Sequence, residues 1–268
     1  MMGIYNPVID KGDSMSSKPT TPETVVSLSH FKMDFSGKTV IKDLSFEVHK
    51  GEVFGFLGSN GSGKTTTIRA LLGLYQPTAG ELLVDGKPFS VSSGFKLGYL
   101  PEERGLYKKE SVIDVMLYFG QLKGLSRSDA KKRAEAYLER VNLTDKANTQ
   151  IDKLSGGQQQ KIQLGITIMN DPDLLILDEP TKGFDPVNRR LLMDIVEEHQ
   201  RNGATIIFVT HQMEEVERLC DRIILLKDGV SRAYGTIADV KKEFGNASLD
   251  DIFIKVYGDE NEQIEENK

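Results

Sequence analysis

The sequence predicts an α/β protein: a mainly parallel sheet, an antiparallel β part near its N-terminus, and an inserted helical part. Three observations predict this. Over 173–227 short apolar runs alternate with helical patterns, as "DLLILD", "PVNRRLLMDIVEEHQRNG", "TIIFVT", "QMEEVERLCD" and "RIILLK". Wholly apolar strands between helices suit a parallel sheet covered on both faces. A glycine-rich loop, "LGSNGSGKTT" at 57–66, stands between the apolar "EVFGF" and the helical "TIRALLGL". Residues 25–90 instead show period-two strands and an Asp85-Gly86 turn, which argue for hairpins.

Taken in order, residues 1–24 are rich in Ser, Thr, Pro and Gly and read as a disordered leader, within which Met15 offers an alternative start. The main domain is expected over 25–240. It opens with strands in "TVVSLSHFKMDF", "TVIKDLSFEV", "EVFGFLG" and "ELLVDGKP", with a helix at about 64–74. Residues 95–170 read as a mainly helical insertion. Within it "SVIDVMLYFGQLKG" and "SRSDAKKRAEAYLERVNL" each begin on a serine suited to N-capping. "SGGQQQKIQLGITIMN" is a third helix, stopped by Asp171-Pro172. Asp228-Gly229 predicts a late hairpin, and 241–268 a C-terminal extension with an acidic tail.

The glycine loop carries the first functional signal. Gly58, Gly63, Lys64 and Thr65 satisfy G-x-x-x-x-G-K-[ST], the P-loop pattern. Residues without Cβ let the backbone curl so that successive N–H groups face phosphate oxygens, and the following helix start adds partial positive charge. Lys64 would reach the β- and γ-phosphates, and the Thr65 hydroxyl would hold Mg²⁺. Such a loop needs an acidic partner. "DLLILDEP" ends an apolar run on Asp178 and Glu179, at the strand end where open α/β sheets bind ligands. Asp178 would contact Mg²⁺ through water, and Glu179 could act as general base on the attacking water. His211 closes "TIIFV", a strand expected beside that of Asp178, so its imidazole would reach the γ-phosphate and help align the water. His30, His49 and His199 have no such context and read as surface or packing residues. "LSGGQQQK" is a second anion-binding pattern, with Ser155, Gly156 and Gly157 opening a helix, although the phosphates already have a loop.

Together these motifs resemble the ATPase subunit of ATP-binding cassette (ABC) transporters over about 25–235. "GSNGSGKT" is similar to its Walker A motif, "LSGGQ" to its signature, "LLILDE" to Walker B, "GFDP" to the D-loop and His211 to the switch histidine, in the family's order. The resemblance implies a P-loop NTPase core that binds ATP and Mg²⁺ on Gly58, Ser59, Asn60, Gly61, Ser62, Gly63, Lys64, Thr65 and Thr66. It implies a second ATPase subunit packed head to tail, whose ATP would be capped by Ser155, Gly156, Gly157 and Gln158, with Asp185 against the opposite Walker A loop. Phe35 matches the aromatic that stacks on adenine, its other reading being a core strand residue. "GYLPEERGLY" stands at the Q-loop, but Glu102 occupies the place of a glutamine ligand to Mg²⁺. A carboxylate can still bind this hard cation, though it adds negative charge beside the γ-phosphate. The same stretch is similar to exporter subunits whose membrane permease is a separate chain. Tyr99, Leu106, Tyr107 and Phe119 would either contact a docking helix of that permease or fill the helical lobe.

Composition narrows the rival readings. The 268 residues carry a net charge of −6, so bulk charge does not favour nucleic acid. The single cysteine, Cys220, lies in an apolar stretch and reads as a buried structural thiol in a reducing compartment. There is no signal peptide pattern and no apolar run of bilayer length, so the chain is not expected to cross a membrane itself, and the resemblance implies a place at the cytoplasmic face of one. A cassette ATPase acting on DNA or ribosomes is the alternative. The single cassette, acidic charge and lack of a heptad run or zinc-binding cysteines speak against it. A non-catalytic regulatory subunit is the other, against which Lys64, Asp178, Glu179 and His211 are all present.

Overall fold

A computed structural model of the chain describes residues 22–90, 93–103 and 105–258. Most of the expected leader and the acidic tail from 259 lie outside the described residues. The strands are β1 (Thr24–Phe35), β2 (Lys38–His49), β3 (Val53–Leu57), β4 (Ala79–Val84), β5 (Leu97–Leu100), β6 (Leu174–Asp178), β7 (Thr205–Val209), β8 (Arg222–Lys227) and β9 (Val230–Thr236). The helices are α1 (Lys64–Leu71), α2 (Val112–Leu122), α3 (Arg127–Arg140), α4 (Gly156–Ile168), α5 (Pro186–Arg201), α6 (Met213–Leu219), α7 (Ile237–Glu243) and α8 (Leu249–Tyr257).

Among the described residues one mixed sheet runs in the order β4-β1-β2-β9-β8-β3-β7-β6-β5. Its centre, β8-β3-β7-β6-β5, is parallel throughout. β1 pairs antiparallel with both β2 and β4, which builds the N-terminal β part. Every residue of β3, β6 and β7 is buried, and alternation divides these strands between two apolar layers. Val53, Leu57, Leu175, Leu177, Ile206 and Phe208 face the layer that holds α2 to α6. Phe54, Phe56, Leu174, Ile176, Ile207 and Val209 face α1 and the N-terminal strands. Gly55 sits in the first layer beneath Ile223 and Cys220, where an added Cβ would come within 2.9 and 3.0 Å of those side chains. Cys220 is buried there, and burial pushes its thiol pKa well up.

Turn and cap chemistry sets the element boundaries. Asp228 and Gly229 both have positive φ, 52° and 73°, as a tight turn between antiparallel strands requires, and they join β8 to β9. Asp85-Gly86 makes a similar turn but closes only a bridge between Val84 and Lys87, because β4 has β1 as its ladder partner. Ser111 and Ser126 cap α2 and α3, each accepting from the N–H three residues on. Within the stretch read as helical, 97–100 is instead β5, the last strand of the parallel sheet. Four residues are too few for a periodicity to separate strand from helix. The C-terminal extension is also more regular than its polarity suggests: Thr236 and Ser248 cap α7 and α8.

The helical part packs closely. An added Cβ at Gly165 in α4 would lie 2.3 Å from the ring of Tyr137, whose hydroxyl donates to the Lys161 carbonyl at 2.7 Å. Alanine gains about 1 kcal/mol of helix propensity over glycine, but overpacking a fixed ring costs about 1–3 kcal/mol. Gly165→Ala is therefore expected to destabilise the chain, and a lower urea midpoint at unchanged m-value checks this.

Candidate active site

Four loops that leave neighbouring parallel strands meet at one end of the sheet. The glycine loop follows β3, Glu102 follows β5, Glu179 follows β6 and His211 follows β7. The register fixes the last two closely, because Asp178 pairs with Val209 and the Glu179 N–H donates to the Val209 carbonyl at 2.9 Å.

The glycine loop is tight because nothing larger than hydrogen fits at two of its positions. A Cβ on Gly58 would lie 2.5 Å from Ser62 Oγ and 2.7 Å from the Leu226 carbonyl. One on Gly63, at φ +112°, would lie 2.3 Å from the Ile41 side chain. From behind, the Gly229 N–H donates to the Ser62 carbonyl at 3.2 Å. Gly63 is also the N-cap of α1 and has no side chain to cap it, so the first N–H groups of the helix are left for an anion. Lys64 Nζ donates to the carbonyls of Gly58 at 2.6 Å and Ser59 at 3.0 Å.

Acids face the loop. Asp178 and Glu179 are 5% and 8% exposed. Glu179 holds a left-handed φ of +48°, which is strained for a glutamate and turns the chain sharply off the strand. Its Oε1 lies 2.8 Å from His211 Nδ1, while its buried Oε2 has no hydrogen-bond partner among the described residues. Burial, followed by the charges of Glu102 and Glu179, pushes the Asp178 pKa up to about 6 against the pull of Lys64 and Arg69. Burial lowers the Lys64 pKa, opposed by Glu179, Asp178 and Glu102. Glu102 is met by Lys182 Nζ at 2.5 Å, and that contact raises the lysine pKa. Behind His211, Thr210 Oγ1 donates to buried Glu215 at 3.2 Å and accepts from the Gln212 N–H at 3.1 Å. Arg189 Nε of α5 lies 3.5 Å from the other oxygen of Glu215.

These groups enclose a cavity of about 560 Å³. Its lining includes Gly58, Ser59, Asn60, Gly61, Gly63, Lys64, Thr65 and Thr66 from the loop, with Glu102, Asp178, Glu179 and His211. Ser62 is buried beneath the loop instead. Phe35 does not line the cavity: its ring stands edge-on to Tyr75 at 5.1 Å. Ser155, Gly156, Gly157, Gln158 and Asp185 are also outside it. Ser155 and Gln158 form a reciprocal capping box on α4, Asp185 caps α5, and Gly157 faces the Phe184 ring, so these residues form a second cluster. His30, His49 and His199 do not contribute to the cavity. The sequence reading missed Val40, Lys182 and Phe253, which do line it. Lys182 follows "DEPT" closely enough to have been suspected. Val40 and Phe253 depend on tertiary packing.

A family model described as "ABC transporter" matches residues 41–182. An ABC transporter ATP-binding protein of Methanocaldococcus jannaschii is 45% identical over 206 residues, covering 77% of this chain and 75% of that one. The linearmycin resistance ATP-binding protein of Bacillus subtilis is 37% identical, covering 84% and 73%. The Nod factor export ATP-binding protein I of Cupriavidus pinatubonensis is 37% identical, covering 88% and 72%. A solved ATP-binding subunit of an ABC transporter superposes with a TM-score of 0.79 at 29% identity, covering 87% of this chain and 99% of that one.

The raised pKa of Asp178 has a stability consequence. Its folded value, about 6, exceeds the ordinary carboxylate value of 3.8, so the folded chain binds this proton more tightly than the unfolded chain. Stability is then lost as pH rises from about 4 to about 6, and the full penalty remains above. Asp178→Asn removes it. In chelator and without nucleotide, the variant is expected to gain about 1–3 kcal/mol at pH 7.5 and little at pH 4. Thermal melts across that range check the sign.

Proposed function

Because this chain belongs to the ABC transporter family as an ATP-binding subunit, we propose that it hydrolyses ATP to drive export through a separate membrane permease. The observation that carries the proposal is the meeting of Lys64, Asp178, Glu179 and His211 around one cavity beside the glycine loop. The family resemblance supports the ATPase unit at 25–240, with its insertion at 95–170 and an extension beyond 240.

The loop's backbone cradle and Lys64 suit the β- and γ-phosphates, and the open start of α1 suits the same charge. The donor set fits Mg²⁺: the Thr65 hydroxyl, the Asp178 carboxylate and Glu102 are hard oxygen ligands. Among the described residues no cluster of three His, Cys, Asp or Glu forms an all-protein metal cage. Mg²⁺ is commonly held by one or two carboxylates together with substrate phosphates. When bound, the ion supplies charge neutralisation at the phosphate oxygens.

Glu179 keeps one oxygen on His211 and leaves the other for a water, from which it takes the proton during attack on the γ-phosphate. His211 orients that carboxylate and reaches the γ-phosphate. Lys182 offsets the extra charge that Glu102 brings to the site. The cluster of Ser155, Gly156, Gly157, Gln158 and Asp185 serves a second subunit's ATP, because in its own chain it does not line the cavity. Closure of two such subunits then moves the permease. Among the described residues no helix is long and apolar enough to cross a membrane, which suits a peripheral subunit at the cytoplasmic face. The named relatives act in resistance and export, which supports outward transport.

Glu179→Gln is expected to bind ATP, lose at least a hundredfold in phosphate release and elute as a dimer with ATP on size exclusion. Wild-type turnover with a monomeric profile would overturn the assignment. Glu102→Ala is expected to shift the Mg²⁺ dependence of hydrolysis to higher concentration, and an unchanged titration curve would remove Glu102 from the metal site.

A further inference from the structure

The cavity lining is polar or glycine except at two places, Val40 at the start of β2 and Phe253 on α8. Phe253 is remote in sequence from every motif, yet its helix is tied to the base of the glycine loop. Leu249, Ile252 and Tyr257 are buried, and the Phe253 and Tyr257 ring centroids lie 4.4 Å apart. Tyr257 donates its hydroxyl to the Leu226 carbonyl at 2.5 Å, and Lys227 Nζ donates to the Val256 carbonyl at 2.8 Å. Leu226 is the same residue whose carbonyl closes the space over Gly58 and whose side chain lies under Gly63. The ring is therefore held at a set position relative to the phosphate cradle.

A nucleotide bound by its phosphates on that cradle carries a sugar and a flat base that also need a wall. Phe35, the aromatic expected there, packs edge-on to Tyr75 outside the cavity lining. We propose that Phe253, with Val40, forms the apolar wall for the nucleoside part of ATP, so that the C-terminal helix is part of the nucleotide site. The proposal rests on the ATP-binding role of the cavity and adds a residue to it. A flat aromatic face against a base or sugar adds a favourable contact that a phosphate chain alone cannot use.

The test compares two probes on the full-length protein by isothermal titration with Mg²⁺ present: ATP, and inorganic tripolyphosphate, which has no nucleoside. Phe253→Ala is expected to weaken ATP about tenfold and to leave tripolyphosphate within about twofold. Phe253→Leu keeps apolar bulk without a flat ring and is expected to lose about threefold for ATP alone. It also serves if the alanine variant does not fold. Unchanged ATP affinity in both variants would overturn the proposal. A parallel loss for both probes would overturn it too, since the ring would then act through the loop. Wild-type protein that binds neither probe would instead overturn the nucleotide reading itself.

Discussion

Everything at this centre depends on how little room lies behind the glycine loop. Gly58 is closed in by Ser62 and the Leu226 carbonyl, and Gly63 by Ile41. A side chain at either place would push the loop outward and turn its N–H groups away from their common focus. The anion cradle is thus a packing result before it is an electrostatic one. The strand that provides Leu226 also provides, one turn later, the Gly229 N–H that supports Ser62 from behind.

The sheet does the rest by register. Adjacent parallel strands end at similar heights, so residues widely separated in sequence arrive together without any loop having to reach far. The arrangement gathers three carboxylates, Glu102, Asp178 and Glu179, against Lys64 and Lys182. Burial first, and then the neighbouring charges of Glu102 and Glu179, push the Asp178 pKa up. Acidic and basic side chains thus stand together in a cavity where solvent has been partly replaced by fixed groups.

What could be read in advance divides along the same line. The glycine loop, the acids after "LLIL" and the histidine after "TIIFV" were legible because each is a short local pattern whose strand context is also local. The serine caps of α2, α3 and α4 were legible for the same reason. β5 was not, because four residues carry too little periodicity. α8 had a readable signal, with Ser248 as cap and apolar residues at 249, 252, 253 and 256, but the sequence reading named no element in the C-terminal extension. Val40 and the Glu215 network were out of reach, since their roles exist only once β2, α5 and α6 have been placed around the sheet. The edge-on packing of Phe35 against Tyr75 is a side-chain arrangement that no spacing encodes.

The backbone at Glu179 has a consequence for how such subunits diverge. A left-handed residue is most easily asparagine, aspartate or glycine, and a glutamate there carries strain of about 1–3 kcal/mol. Mutation toward those smaller residues relaxes the chain while withdrawing the glutamate from its contact with His211. Drift under selection for folding alone therefore runs away from glutamate at this position.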